Sequence, residues 1–412
     1  MLFVENIEII RSKLSNLLNG KFILLGLTGS VAIYRVPDLA RLLIKHGAEV
    51  KTLMTSTARS FLNPEIMRWA TGNDVITEVS GYVEYVNLCS KADALVIVPA
   101  TANTISKIAQ GISDNVVTLS ASVIMGFRKK LIIIPVMNLS MYMNPVFRDN
   151  LNKLTRYENV HIIEPIIEEG KAKILPNDEI VECVIDTLCA KDMKGLNVLI
   201  TTGPTREYID DVKYITTPSS GLTGLYFARE AKARGANVTV ITGPVSINFP
   251  KDVELVRVES VLEMYETTMK IIESRKFDII IFSAAPLDYT VKNRVRGKLR
   301  SDCDELCIEL TKAPKIACSV RSRQKDAIII GFKAEVNVSD EELINAALKK
   351  ISECSWDVAI AHDVSKGLGF STLHDDVYII TKHGEIERTG RVHKRELARI
   401  VLSKALTLLK RE

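Results

Sequence analysis

Two doubly wound α/β domains, each on a mostly parallel sheet, are what the sequence predicts, and three observations carry the prediction. The apolar runs are short and continuous rather than alternating, as strands covered on both faces require. Segments of helical period lie between them, so strand and helix alternate along the chain. An apolar run that opens into a loop of glycine and hydroxyl residues, and then into a helical segment, occurs twice: Lys21–Gly26 into Leu27-Thr-Gly-Ser-Val31, and Leu196–Ile200 into Thr201-Thr-Gly-Pro-Thr205. Each reads as the first strand–helix unit of its own domain.

Met1–Leu18 reads as an amphipathic leading helix, a packing element of the first domain. In that domain, residues 1–190, strands are expected at Lys21–Gly26, Glu49–Met54, Ala94–Val98 and Leu131–Pro135, with helices around Pro37–His46, Ala102–Gln110, Asn115–Met125 and Asp178–Ala190. Lys191-Asp-Met-Lys-Gly195 is short, polar and ends in glycine, which places the boundary near residue 191. In the second domain, residues 191–412, strands are expected at Leu196–Ile200, Val238–Ile241, Phe277–Phe282, Ala327–Gly331 and Val358–Ala361. Helices are expected near Leu222–Arg234, Val261–Ser274, Glu341–Cys354 and Lys394–Leu409.

With 412 residues, 47% of them hydrophobic and 25% charged, the chain can bury large cores without a metal or disulfide staple, and disorder and coiled coil are excluded for its bulk. No apolar run reaches the ~18 to 20 residues of a membrane span, and Glu5 and Glu8 stand where a secretion signal would be apolar, so a cytoplasmic protein is expected. The net charge is +4, carried by the second half: residues 1–190 hold 19 basic and 19 acidic side chains. An excess this small and dispersed favours an anionic ligand in the second domain and argues against a nucleic-acid partner. Seven cysteines without a C-x-x-C pair fit neither a disulfide framework nor a zinc site, and most are expected to be reduced and buried.

Open parallel sheets bind ligands beyond the carboxyl ends of their strands. In the first domain the residues there are Thr28-Gly-Ser30, Thr55-Ser-Thr57, Pro99-Ala-Thr-Ala-Asn103 and Pro135-Val-Met-Asn138. They offer short hydroxyls, amides and, at Gly29, close backbone approach, with no fixed positive charge. Any one of these loops is explained as a helix N-cap; four after four strands favour a ligand. The spacing Gly26-x-x-Gly29 lacks the dinucleotide fingerprint, so a mononucleotide such as a flavin fits better.

The motifs Gly26-Leu-Thr-Gly-Ser-Val-Ala-Ile-Tyr34, Val98-Pro-Ala-Thr-Ala-Asn103, Ser113-Asp-Asn115 and Pro135-Val-Met-Asn-Leu-Ser-Met141 resemble the flavin-dependent cysteine decarboxylases. Thr201-Thr-Gly-Pro-Thr-Arg-Glu207, Tyr214-Ile-Thr-Thr-Pro-Ser-Ser-Gly221, Ala284-Ala-Pro-Leu-Asp-Tyr289, Gly331-Phe-Lys-Ala-Glu335 and Ala361-His-Asp-Val-Ser365 resemble, in that order, phosphopantothenate:cysteine ligases. Nearly end to end, the chain is thus similar to the bifunctional enzymes of coenzyme A biosynthesis. The resemblance implies a flavodoxin-like decarboxylase domain with FMN at Gly29, Ser30, Thr55, Thr101 and Asn103, and Asn138 on the substrate carboxylate. It implies a Rossmann-like ligase domain that uses CTP and Mg²⁺ to activate 4'-phosphopantothenate as an acyl-cytidylate for attack by cysteine.

By matching position, Asp288 would meet the cytosine or ribose, Lys298 the triphosphate and Phe332 the base. Ser283, Ala284 and Pro314, Lys315, Ile316 and Ala317 would line the nucleotide, with Lys350 a further candidate. Ser219, Ser220 and Gly221 precede a helix and would contact a phosphate or cap the helix. No metal ligand is assigned. Decarboxylase trimers and ligase dimers are implied, hence a homo-oligomer.

Three positions depart from the family pattern. Tyr85 stands where the decarboxylases have a catalytic His, and a phenol with a pKa near ~10 is a poor base at neutral pH, though it can relay a proton; a packing role on a helix face is the even alternative. The stretch Glu164–Ile174 has no cysteine where bacterial relatives carry a proton donor in a flap; Cys183 is the nearest thiol, and Lys171 and Lys173 close over a substrate or form a solvated charge pair. Thr217 replaces an Asn that handles the acyl-cytidylate, offering one donor in place of two. Two rival readings therefore stand beside the bifunctional enzyme: one with a single working half, and a flavin-binding regulatory protein on the same fold.

Overall fold

A computed structural model describes residues 7–300, 305–367 and 372–410. The chain divides into two compact units, Met1–Cys189 and Ala190–Glu412. In the first, five parallel strands lie in the order Glu49–Met54, Phe22–Leu27, Ala94–Ala100, Lys130–Pro135, Val160–Ile162. The continuous apolar runs have their cause here: Ile23, Leu25 and Leu27 face one core, under helices Val36–Lys45, Pro64–Thr71 and Asn177–Leu188, while Leu24 faces the other, under helices Ala102–Gln110, Val116–Gly126 and Pro145–Leu154.

The leading helix is corrected. Among the described residues helix runs only over 7–10, and the chain then turns at Ser12, whose φ is 57°. The Ser12, Leu14 and Leu18 N–H groups donate to carbonyls of Ile44, Lys45 and His46, so the segment satisfies the open carbonyls at the end of helix Val36–Lys45 instead of continuing its own helix. Residues 1–6 lie outside the described residues.

The second unit carries eight strands in the order Glu254–Arg257, Asn237–Thr242, Asn197–Thr202, Ile279–Phe282, Ile328–Glu335, Val358–Asp363, His374–Thr381, Ile386–His393. The first six are parallel and the last two form an antiparallel hairpin that the apolar runs did not reveal. Helices Leu222–Ala233 and Lys394–Leu409 cover one face; Val261–Ser274 and Asp340–Cys354 cover the other. Gly331 is required by close packing, since a Cβ there would lie 2.5 Å from the Trp356 ring.

The cysteine expectation is corrected at one pair: Cys318 and Cys354, 36 residues apart, form a disulfide. The short turn Ile316–Cys318 packs at the end of helix Asp340–Cys354, a tertiary proximity that no local spacing announces. Cys89 is a buried thiol, Cys183 and Cys189 are half-buried, and Cys307 is exposed, all four outside the disulfide; Cys303 lies outside the described residues. No helix among the described residues is long and apolar enough to cross a membrane.

Candidate functional site

Four polar loops of the first unit gather at the carboxyl edge of its sheet because each strand there ends in a helix cap. Ser30 caps the turn Val31–Arg35, Thr55 caps helix Ser56–Phe61, Thr101 caps Ala102–Gln110 and Asn138 caps Leu139–Tyr142; each side-chain oxygen accepts a first-turn N–H. The capping reading thus holds for all four, and at two of them a further N–H is spent on backbone, Ile33 on the Ser30 carbonyl and Leu139 on the Gly170 carbonyl. Thr28 ties two loops together: its hydroxyl donates to the Pro99 carbonyl at 2.6 Å and accepts from the Thr101 N–H at 3.1 Å. Gly29 abuts the third loop, where a Cβ would lie 2.3 Å from Thr57 Cγ2. Asn103 is exposed in the first turn of its helix.

Asn138 is exposed, and its Oδ1 accepts from the Ser140 N–H and hydroxyl at 2.9 Å each, which leaves the Nδ2 donor face available. The flap is a hairpin of Ile166–Glu168 and Lys171–Lys173 that adds to Met137–Asn138, with Asn138 opposite Lys171. At its base the Tyr142 phenol donates to Glu164 at 2.5 Å; burial, with Glu164 next, holds that phenol protonated above its ordinary range. Lys173 pairs with Glu168 and Glu169, the solvated alternative. Tyr85 sits on helix Glu84–Lys91 with its ring partly buried against the core, as a packing residue does, and Cys183 packs against the opposite core from helix Asn177–Leu188.

In the second unit a cavity of about 360 Å³ opens at the carboxyl edge of the strands. Ser219, Ser220, Gly221, Ser283, Ala284, Asp288, Pro314, Lys315, Ile316, Ala317, Phe332 and Lys350, all singled out from the sequence, line it together. Asp288 pairs with Lys315 and Lys350 with Glu353. The strand Ile328–Glu335 runs four residues beyond the expected Ala327–Gly331, which carries Phe332 into the wall, edge-on to Phe227 at 5.8 Å and His362 at 6.3 Å.

Two candidates stand apart from this lining. Thr217 directs its hydroxyl to the Ala285 carbonyl at 2.7 Å, so its one donor is already used. Lys298 is exposed on a loop held from both sides: Gly297 N–H donates to Asp211 and Leu299 N–H to Asp210. Asp210 is buried and also accepts from the Lys213 and Val212 N–H groups, which hold its carboxyl far below the ordinary range. Lys298 is not among the residues that line the cavity of its own unit.

Sequence reasoning missed the far wall, formed by His362, Asp375 and Lys394. His362 belongs to the quoted motif Ala361-His-Asp-Val-Ser365, and Lys394 opens a helix directly after a strand, the position where ligand groups gather. His362 Nδ1 is buried with no hydrogen-bond partner; burial, and then Lys394, push its pKa down to about 4 from 6.5. An unfolded chain therefore binds this proton first as pH falls, and the second unit is expected to lose stability between pH about 6.5 and 4, by at most ~3 kcal/mol from this group. Urea midpoints of the second unit at pH 7 and 4.5 check this, and His362→Asn should remove that part of the slope.

A flavoprotein-type α/β unit followed by an α/β unit with a nucleotide-sized cavity is the class of protein these features define. Residues 11–189 match the Flavoprotein family and residues 193–408 the DNA/pantothenate metabolism flavoprotein C-terminal domain family. The coenzyme A biosynthesis bifunctional protein CoaBC of Thermococcus kodakarensis is 40% identical over 96% of this chain and 97% of its own length; that of Methanocaldococcus jannaschii is 37% identical over 98% of each. A crystal structure of the C-terminal domain of a CoaBC protein is 29% identical, covering 54% of this chain and 100% of that one, with a TM-score of 0.46. The chain belongs to the family of coenzyme A biosynthesis bifunctional proteins.

Proposed function

We propose that the second unit joins cysteine to 4'-phosphopantothenate at the expense of CTP and that the first unit decarboxylates the product to 4'-phosphopantetheine. The observation that supports this most is the contrast between the two crevices: neutral hydroxyl and amide caps in the first, and Asp288 with Lys315, Lys333 and Lys350 in the second. The second set suits a polyphosphate and its sugar. In ligation the 4'-phosphopantothenate carboxylate displaces pyrophosphate from CTP, and the cysteine amine then displaces CMP, forming the amide. Asp288 and Phe332 orient the nucleotide, Ser219, Ser220 and Gly221 hold the acyl partner at the start of helix Leu222–Ala233, and Lys298 neutralises charge as pyrophosphate leaves. Lys298 does not line the cavity of its own unit, which favours service to the cavity of a second copy in a dimer of ligase units. Mg²⁺ would enter with the triphosphate, whose oxygens supply most of its ligands.

The first crevice fits FMN by its donor chemistry: Ser30, Thr55, Thr101 and their first turns offer neutral donors to a phosphate, and Asn103 adds an amide. Bound there, FMN would supply an electron sink for oxidation of the substrate thiol. Asn138 holds the substrate carboxylate through Nδ2, and the hairpin joined to it shields the site from water. Exposed Val31 and Tyr34, at the capped turn itself, favour completion of this site by neighbouring copies.

Visible flavin absorbance in the purified protein tests the first half. Gly29→Val, whose Cβ would meet Thr57 Cγ2, is expected to abolish it. Colourless wild-type protein that does not take up added FMN would overturn the assignment.

A further inference from the structure

We infer that Lys394, Asp375 and His362 form the receptor for the amino-acid substrate, Lys394 taking its α-carboxylate and Asp375 with His362 Nδ1 taking its amine. The inference rests on the ligase reading of the second unit and names the subsite that reading leaves unassigned. Three facts carry it. Lys394 and Asp375 wall the same cavity as Ser219–Gly221 and Phe332, and both are buried, with 2% and 3% of their side chains exposed and Nζ 3.7 Å from Oδ2. His362 lines the same wall with an Nδ1 that is buried and has no hydrogen-bond partner. The other cations of the cavity, Lys315, Lys333 and Lys350, each pair with a more exposed carboxylate, at Asp288, Glu335 and Glu353.

Charge then discriminates among the substrates. CTP and 4'-phosphopantothenate are polyanions, and a buried carboxylate beside their binding place would repel both. A zwitterion alone presents a cation to Asp375 and an anion to Lys394 at once. Its ammonium carries three donors, enough for the Asp375 carboxylate and the neutral His362 acceptor together. Burial strengthens both contacts relative to the same groups in water. The topology places the amine suitably: strand Val358–Asp363 runs parallel to Ile328–Glu335, and the hairpin returns beside it, so His362, Asp375 and Lys394 meet Phe332 at one edge of the sheet.

The test uses the full-length protein with cysteine and with cysteamine, which lacks the carboxylate. Wild type is expected to prefer cysteine in kcat/KM by roughly 10- to 100-fold, the worth of one hydrogen bond to a charged group, and Lys394→Met to reduce that ratio to near one. Asp375→Asn and His362→Gln are expected to raise KM for cysteine at least tenfold. Pyrophosphate release from CTP and 4'-phosphopantothenate in the absence of cysteine should stay within about twofold of wild type in every variant that folds, folding being read from the urea midpoint of the second unit. His362→Gln removes neither charge, so it keeps the proposal testable where the charge variants do not fold. A Lys394→Met protein that retains the cysteine preference, or variants whose KM for cysteine is unchanged, would overturn the proposal. So would loss of cysteine-free pyrophosphate release from a folded variant, which would place these groups on the nucleotide or acyl partner. Failure of wild type itself to release pyrophosphate would instead overturn the ligase reading.

Discussion

Ligation is expected to fall by about two to three orders of magnitude in a Lys298→Ala protein, while the flavin content of the first unit stays unchanged. The size comes from removing one preorganised positive group from a site where charge develops, which typically costs 10²- to 10³-fold in rate. The loop is built for such a role. Asp211 and Asp210 hold the backbone on either side of Lys298, so the side chain is presented from a fixed base while remaining exposed. Steady-state pyrophosphate release and amide formation, measured beside flavin absorbance, check the outcome. Near-normal ligation would return Lys298 to a solvated charge. Mixing Lys298→Ala with a variant disabled at Asp288 separates the two geometries: if the lysine serves a second copy, mixed dimers regain activity at one of their two sites.

The second large effect concerns stability. Glu230 is 1% exposed and accepts from Arg395 at 3.2 Å and Arg399 at 2.8 Å, joining helices Leu222–Ala233 and Lys394–Leu409. Arg395 is fully buried. Glu230→Leu removes this carboxylate from both guanidinium groups and is expected to cost the second unit about 3 to 5 kcal/mol, the usual cost of breaking a buried pair from one side. Glu65→Gln, which opens the exposed pair with Arg68, should change stability by less than about 0.5 kcal/mol. Urea unfolding with a probe in each unit checks both, since a two-unit chain need not unfold in one transition. An unchanged midpoint for Glu230→Leu would mean that Arg395 finds other partners.

Both predictions depend on features that differ in how well the sequence shows them. The central strands were legible because burial on both faces leaves continuous apolar runs, and helices Ala102–Gln110, Val261–Ser274 and Lys394–Leu409 were legible to the residue from their period. The hairpin His374–His393 was not. Its first strand alternates half-buried with buried positions, its second is largely exposed, and together they carry Asp375, Asp376, Arg388 and Arg391, so they read as loop. The pairing of Cys318 with Cys354 and the meeting of His362, Asp375 and Lys394 are products of topology, since neither set has a spacing that local chemistry requires. Most residues of the second unit's candidate site were found by motif resemblance, and they line one cavity. The first-domain loops were found by position alone, and every one of them doubles as a helix cap.

The departures at Tyr85 and Thr217 bear on the chemistry. Tyr85 packs against the core, which weakens a role as base, and the Thr217 hydroxyl is committed to Ala285. If the decarboxylase half is idle, 4'-phosphopantothenoylcysteine accumulates; if the second half-reaction of ligation is slow, the acyl-cytidylate does.

The most direct measurement is mass analysis of products after the purified, flavin-loaded protein is incubated with 4'-phosphopantothenate, cysteine, CTP and Mg²⁺. The expected result is 4'-phosphopantetheine with one CO₂, one CMP and one pyrophosphate per turnover. Intact substrates after prolonged incubation, with no acyl-cytidylate, amide or decarboxylated product, would contradict the assignment of two successive reactions to this chain.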